Sequence, residues 1–142
     1  MPKTPFQLRI VTPEGSRFYV KIVSLQFPGE DGLIGVWAHH APMLASMRPG
    51  KLIVEEAGHT EVQKSFAVGS GFAEVSDNNA ILLVDTCEAA EDIDVDRARA
   101  ALERAKKLLA QAMNDRSIDA EAAQDAVDRA EARIRAAYTR GA

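Results

Sequence analysis

The chain has 142 residues, of which 46% are hydrophobic and 27% charged, and it carries a net charge of −4. No basic excess suits nucleic acid and no acidic block suggests a disordered tail. The apolar runs are short, Ala80 to Val84 for example, so none spans a bilayer, and Met1–Val11 lacks the apolar centre of a signal peptide.

The first part of the chain reads as strands. Phe6–Thr12 alternates, with Phe6, Leu8 and Ile10 on one face and Gln7 and Arg9 on the other, the period of a half-buried strand. Thr12-Pro-Glu-Gly15 is a turn, with Pro13 presetting φ and Gly15 free to take positive φ. Phe18–Leu25 alternates again. Leu52–Glu56, Val62–Val68, Phe72–Val75 and Ile81–Thr86 follow, separated by Gly58, Gly69-Ser-Gly71 and Asp77-Asn-Asn79. Short strands at this spacing predict an antiparallel β-sandwich or barrel over residues 1–88. No segment in that stretch is long enough for a crossover helix, so sequential strands should pair antiparallel. The single cysteine, Cys87, excludes an internal disulfide and reads as a small buried apolar residue in a reducing compartment.

Composition changes abruptly after residue 88. The first 88 residues hold all six prolines and eight of the nine glycines, whereas residues 89–142 hold 17 alanines and 21 charged residues and no proline. Ala98, Ala101, Leu102, Ala105, Leu108, Leu109, Ala112 and Met113 recur at three and four, as do Ala123, Ala126, Val127, Ala130, Ile134, Ala137 and Tyr138. Each set is one apolar stripe on a helix. Asn114–Ser117 breaks the pattern, Ser117 or Asp119 can cap the second helix, and the short link predicts an antiparallel two-helix hairpin over residues 89–142. Alanine favours the helix itself, yet each buried methyl contributes only about 0.8 kcal/mol. Rods of this kind should form readily and dock weakly, which suits a switch that undocks without melting; a hairpin that never moves is the plainer alternative.

The chemistry-bearing residues are few. His39, His40 and a distant His59 supply no ligand spacing for a metal, and the adjacent pair reads as loop residues bonded to backbone or facing a partner. Gly69-Ser-Gly71 is followed by a strand pattern, so it reads as a turn or bulge and not as a phosphate loop. No GxSxG elbow or Ser/His/Asp set is present, which argues against catalysis by this chain alone. Near the first helix start, Asp94 can be the N-cap. Arg97 and Arg104 share a helix face, and so do Arg129 and Arg133. In an antiparallel pair these four guanidiniums come to similar levels, where an anion such as phosphate would relieve their repulsion. The alternative is pairing within each helix, Asp125 with Arg129 and Asp96 with Arg99.

With these residues in hand, the chain resembles the epsilon subunits of bacterial and chloroplast F-type ATP synthases, which correspond to the mitochondrial delta subunit. The resemblance rests on Val11-Thr-Pro-Glu-Gly15, Gly32-Leu-Ile-Gly-Val36 leading to His40-Ala-Pro42, Arg48-Pro-Gly50 and Phe66-Ala-Val-Gly-Ser-Gly-Phe-Ala-Glu-Val75, followed by the hairpin. Where the family often has Pro-Gly, this chain has Ala38-His39, so the local turn should differ. The resemblance implies a non-catalytic rotor subunit at the cytoplasmic face of the bacterial plasma membrane, reaching the membrane only through the complex. Its sandwich would bind the gamma subunit and the ring of c subunits. Its hairpin would regulate ATP hydrolysis by folding on the sandwich or reaching into the alpha/beta catalytic head. The family's nucleotide motif falls on Ile93-Asp94-Val-Asp-Arg97-Ala98, with Glu88 upstream and Arg104, Arg129 and Arg133 downstream. The resemblance thus implies a regulatory ATP, with no other cofactor required. Glu30, Asp31, Leu33, Trp37, His40 and Met43 are the expected partner-contact residues. A static stalk subunit without nucleotide, and more remotely a metal-dependent β-barrel enzyme, are the rival readings.

Overall fold

A computed structural model describes residues 3–58 and 62–139, with side chains described for all of these except 16–19, 62 and 139. His59 lies outside the described residues. Among the described residues nine strands come first: β1 (Phe6–Thr12), β2 (Gly15–Gly29), β3 (Gly32–Val36), β4 (Met43–Met47), β5 (Gly50–Glu56), β6 (Val62–Val68), β7 (Gly71–Ser76), β8 (Asn79–Val84) and β9 (Cys87–Ala89). A single 3-10 turn (Ala90–Asp92) leads to α1 (Val95–Ala112) and α2 (Ala120–Thr139).

The strands form a sandwich whose two halves share β2. One half runs β1–β8–β7–β4 and the other β2–β5–β6–β9. The long β2 pairs with β1 along its first part, with β5 in its middle and with β3 at its end, and a single bridge, Gly29 to Met47, ties it to β4. Pairings between strands adjacent in sequence are antiparallel, whereas β1 and β8 run parallel, Leu8 lying opposite Ala80. The six strands between them, not a helix, carry the chain back. Alternation does what period two requires: Phe6, Leu8 and Ile10 are buried and Arg9 is exposed. With Ile22, Leu25, Phe27, Leu52, Val54 and Leu82 they fill one core between the two halves.

Turn chemistry follows the sequence closely. Gly15 takes φ 120° at the end of the Pro13 turn. Asp77 and Asn78 both take positive φ, the two-residue arrangement that matches the twist of the β7–β8 hairpin. Ser70 sits between β6 and β7, so Gly69–Gly71 is a strand connection. At the site of the family departure His39 adopts φ 64° and its N–H donates to Asn78 Oδ1 at 2.6 Å. His40 Nδ1 lies 2.7 Å from the Ala41 carbonyl. The histidine loop is therefore fastened to backbone and to the β7–β8 turn. Cys87 corrects its reading: it is half-buried at the edge of the core on β9, because the three-residue strand pairs on one side with β6 only.

Both helix starts are capped by aspartate. Asp94 Oδ1 accepts from the Arg97 N–H at 3.1 Å, and Asp119 Oδ1 from the Ala122 N–H at 3.1 Å. Between the helices Asp115 accepts from both the N–H and the hydroxyl of Ser117, so Asp119 and not Ser117 caps α2.

Candidate functional site

The junction between sandwich and hairpin is made by α2. It packs on α1 along one side and on β5 and β6 along the other, while α1 packs mainly on α2. The predicted stripe Ala123, Val127 and Ala130 is buried, and so are Ala98 and Ala105 of α1. Leu108, Met113 and Tyr138, placed in the stripes by their spacing, are exposed instead, since each sits at the margin or the end of its helix. A second buried face of α2 was missed. Ala132 and Ala136 lie about 180° and 140° around the helix from Ala123 and are buried at 2% and 0% exposure. They form a small second cluster with Ala67, Ala137 and Ile93, against which the partly buried Val95 packs. The signal in the sequence was alanine at i and i+4 opposite an alanine stripe, which is easily taken for mere helix propensity.

Polar contacts flank this apolar strip on both edges. On one, Arg133 Nε donates to Glu88 Oε1 at 2.9 Å and Nη2 lies 3.5 Å from Oε2. These two residues and Arg129 line a cleft of about 350 Å³ whose sandwich wall carries Thr12, Glu14, Asp85 and Thr86. On the other edge Arg48 Nη2 stands 3.7 Å from Asp128 Oδ2, over a cleft of about 720 Å³ bounded by the β2–β3 turn. The sequence reading noted Arg48 only within Arg48-Pro-Gly50 and Asp128 not at all, because nothing in a linear pattern pairs residues 80 apart.

The four predicted arginines share one edge of the hairpin. Arg99 fixes the opposite edge: its guanidinium lies over the Tyr138 ring, 5.7 Å from the centroid, and donates to the Tyr138 hydroxyl. Arg97 is about 200° from Arg99 around α1, and Arg129 and Arg133 are about 180° and 140° from Tyr138 around α2. All three, with Arg104 on the face of Arg97, therefore lie on the Glu88 side. Five residues along α1 from Arg99 and five back along α2 from Tyr138 bring Arg104 level with Arg133. Arg97 is about 10 Å from that level at 1.5 Å per residue. The expected single spot is thus a line of cations, with Arg129 and Arg133 in the cleft and Arg97 and Arg104 outside its lining. The alternative pairings are not formed: among the described residues neither Arg97, Arg104 nor Arg129 has an ion-pair partner. Of the other motif residues, Ile93 anchors α2, Asp94 caps α1 and Ala98 is buried.

Models of two domains together match residues 5–138. The ATP synthase delta/epsilon chain β-sandwich domain covers residues 5–90, and the delta/epsilon chain long α-helix domain covers 91–138. The chain belongs to the ATP synthase delta/epsilon family. Relatives described as ATP synthase epsilon chains include one from Anaeromyxobacter sp. (strain K), 44% identical over 89% of this chain and 93% of its own, and one from Desulfitobacterium hafniense (strain Y51), 42% identical over 93% and 96%. The fold is shared with a chain of the Euglena gracilis mitochondrial ATP synthase, solved with OSCP, F1 and the c-ring. That match has a TM-score of 0.80 and 19% identity, and covers 97% of this chain and 84% of that one. Membership makes the chain a non-catalytic subunit of a larger enzyme, and among the described residues no helix is long and apolar enough to cross a membrane.

The predicted partner-contact residues divide between two places: the Glu30–Leu33 turn lies beside the Met47 end of β4, whereas Trp37, His40 and Met43 lie toward the β7–β8 turn, Met43 opposite Val75. Glu30, Asp31 and Leu33 are exposed on the β2–β3 turn, Leu33 at 67%. Trp37 is 59% exposed and lies close over Gly35. His40 is half-buried, and Met43 packs partly on the sandwich core. An apolar row was missed: Leu44, Phe72 and Leu83 are each half-exposed or more on the outer face of β4, β7 and β8, with Phe72 opposite Leu83. They stand where the alternation puts solvent-facing residues, and their chemistry contradicts that position.

Proposed function

We propose that the chain is an epsilon subunit of the central stalk of a proton-driven F-type ATP synthase, and that its hairpin restrains ATP hydrolysis by leaving the sandwich. The sandwich is the permanent part. Its outer row Leu44–Phe72–Leu83 suits a lasting contact with the gamma subunit, and the exposed turn Glu30–Leu33 suits the c ring, the assembly with which the Euglena relative was solved. Peripheral attachment at the cytoplasmic face of a bacterial membrane follows from that reading.

The observation that carries the regulatory part is the make-up of the α2 strip. Four alanines and one isoleucine, with the partly buried Val95 against them and two partly exposed ion pairs at the edges, hold the hairpin to the sandwich. Such pairs typically contribute about 0–1 kcal/mol each. The docked state is one of two packings separated by a small free energy. A nucleotide along the arginine line would bridge both helices and favour the docked state, by about 2.7 kcal/mol at a hundredfold excess over Kd.

Truncation of residues 94–142 in the assembled enzyme tests the restraint: ATP hydrolysis should rise, and an unchanged rate would defeat the inhibitory role. Calorimetric titration with ATP tests the nucleotide. Among the described residues the Arg97 side chain has no ion-pair partner and only its backbone N–H joins the cap, so Arg97→Ala should abolish the heat of binding and leave the fold intact. A flat titration for the unaltered chain up to millimolar ATP favours the static stalk subunit, for which the structural duties of Ile93, Asp94 and Ala98 are the specific support.

A further inference from the structure

We infer that Arg48 is a shared cation that couples the acidic β2–β3 turn to the docking of α2. Its backbone is fixed: the Arg48 N–H donates to the Pro28 carbonyl at 3.0 Å, and the Glu30 N–H to the Ser46 carbonyl at 3.1 Å, so the root of the side chain is sewn to the strand that carries the turn. Its guanidinium is free to choose. The side chain is 57% exposed and stands 3.7 Å from Asp128, an ion pair too long to be a hydrogen bond. The same cleft is walled by Glu30 and Asp31, exposed carboxylates without an ion-pair partner among the described residues. Lys51 and Arg135 also line the cleft, Arg135 paired with Glu131, so Arg48 is the cation placed between Asp128 on the helix and the Glu30 and Asp31 carboxylates of the fixed turn.

The sign of the coupling follows. With α2 docked, Arg48 answers Asp128. With α2 gone, Arg48 turns to Glu30 and Asp31. Whatever neutralises those two carboxylates, a cationic loop of a neighbouring subunit included, releases Arg48 to Asp128 and favours docking. By linkage a docked α2 leaves the turn more acidic and strengthens its hold on a cationic partner by the same factor. The two sites share the movable charge of Arg48, and no rearrangement of the sandwich is needed. The inference rests on the mobile hairpin proposed above.

The test uses the full chain with a label pair at Asp77 on the sandwich and Glu121 on α2, read as a distance distribution. Asp128→Asn should lower the docked-to-undocked ratio about two- to fivefold, the range of an exposed ion pair. The joint change Glu30→Gln and Asp31→Asn should raise it by a similar factor, an opposite sign that mere damage to the surface does not produce. In an Arg48→Ala background both effects should vanish. If the turn variant leaves the ratio unchanged, or acts equally without Arg48, the inference is overturned. Ala136→Glu, which buries a charge in the alanine strip, is the control: it should lengthen the distance on its own. If it does so while the Arg48 set is silent, the mobile hairpin stands and the shared cation falls. If no variant lengthens the distance, the mobile hairpin falls and takes this inference with it.

Discussion

Replacing Ile93 by alanine separates the docking of α2 from the stability of the sandwich. Ile93 is 7% exposed and packs with Ala67, Ala132, Ala136 and Ala137, apart from the core between the two sheet halves. The substitution removes three carbons. At about 0.8 kcal/mol for each buried methylene this weakens docking by about 2.4 kcal/mol, roughly a fiftyfold shift toward the undocked state. A residual cavity adds to that figure where the alanines cannot close on it. Neither α1 nor α2 should melt, because their own contact, through Ala98, Ala105, Ala123, Val127 and Ala130, is left in place. Amide hydrogen exchange reads the outcome. Protection should fall in β6, where Ala67 lies, while amides of β1 and β8 in the main sheet and of the helix interiors stay protected. A uniform loss of protection with a lower Tm for the whole chain would refute the reasoning, because it would mean that hairpin and sandwich form one cooperative unit. A change of less than threefold would show that the alanines alone secure the seam.

Four further substitutions probe the α1 cap, two close glycines and the helix–helix link. Asp94→Ala removes the cap bond to the Arg97 N–H and should cost about 1 kcal/mol of α1 stability, seen as faster exchange in the first turn of α1 and not in α2. Gly71→Ala drives a Cβ into the Leu83 carbonyl, a backbone atom that cannot step aside, and should abolish or severely destabilise folding. Gly69→Ala meets first the carboxylate end of Asp85, a side chain that can rotate away, and should be milder in the same thermal melt. The Ser117 hydroxyl, and after it the Ser117 N–H, hold the Asp115 carboxyl below its ordinary 3.8. A lowered folded pKa stabilises the helix–helix link above the ordinary value and loses that contribution as pH falls through the folded value. In Ser117→Ala an NMR titration should show Asp115 rising toward 3.8, and an unmoved midpoint would remove the serine as the cause.

The fold was legible where side-chain period and burial agree. Phe6–Ile10 on β1 and Leu52–Val54 on β5 alternate in sequence and in the structure. Strands β3, β4 and β9 were missed for physical reasons. Leu33 and Leu44 point to solvent, so the alternation on β3 and β4 is inverted, and β9 has only three residues. The parallel β1–β8 pair closes the sheet over a separation of about seventy residues and leaves no local trace. The caps Asp94 and Asp119 could be read from sequence because capping is a short-range bond. The docking face of α2 could not: alanine serves propensity and packing equally, and only the position of Ala67 and Ile93 decides that Ala132 and Ala136 are seam and not surface. The arginine edge was half legible. Spacing gave the shared faces, but the register between helices, set by Arg99 against Tyr138, made the expected cluster a line.

The central claim is that a thin alanine seam holds α2 in one of two states. It is tested most directly by the distance distribution between labels at Asp77 and Glu121, recorded with and without ATP. Two populations are expected, with ATP shifting weight to the shorter distance and Ile93→Ala shifting it to the longer. A single short distance, indifferent to both nucleotide and substitution, would contradict it.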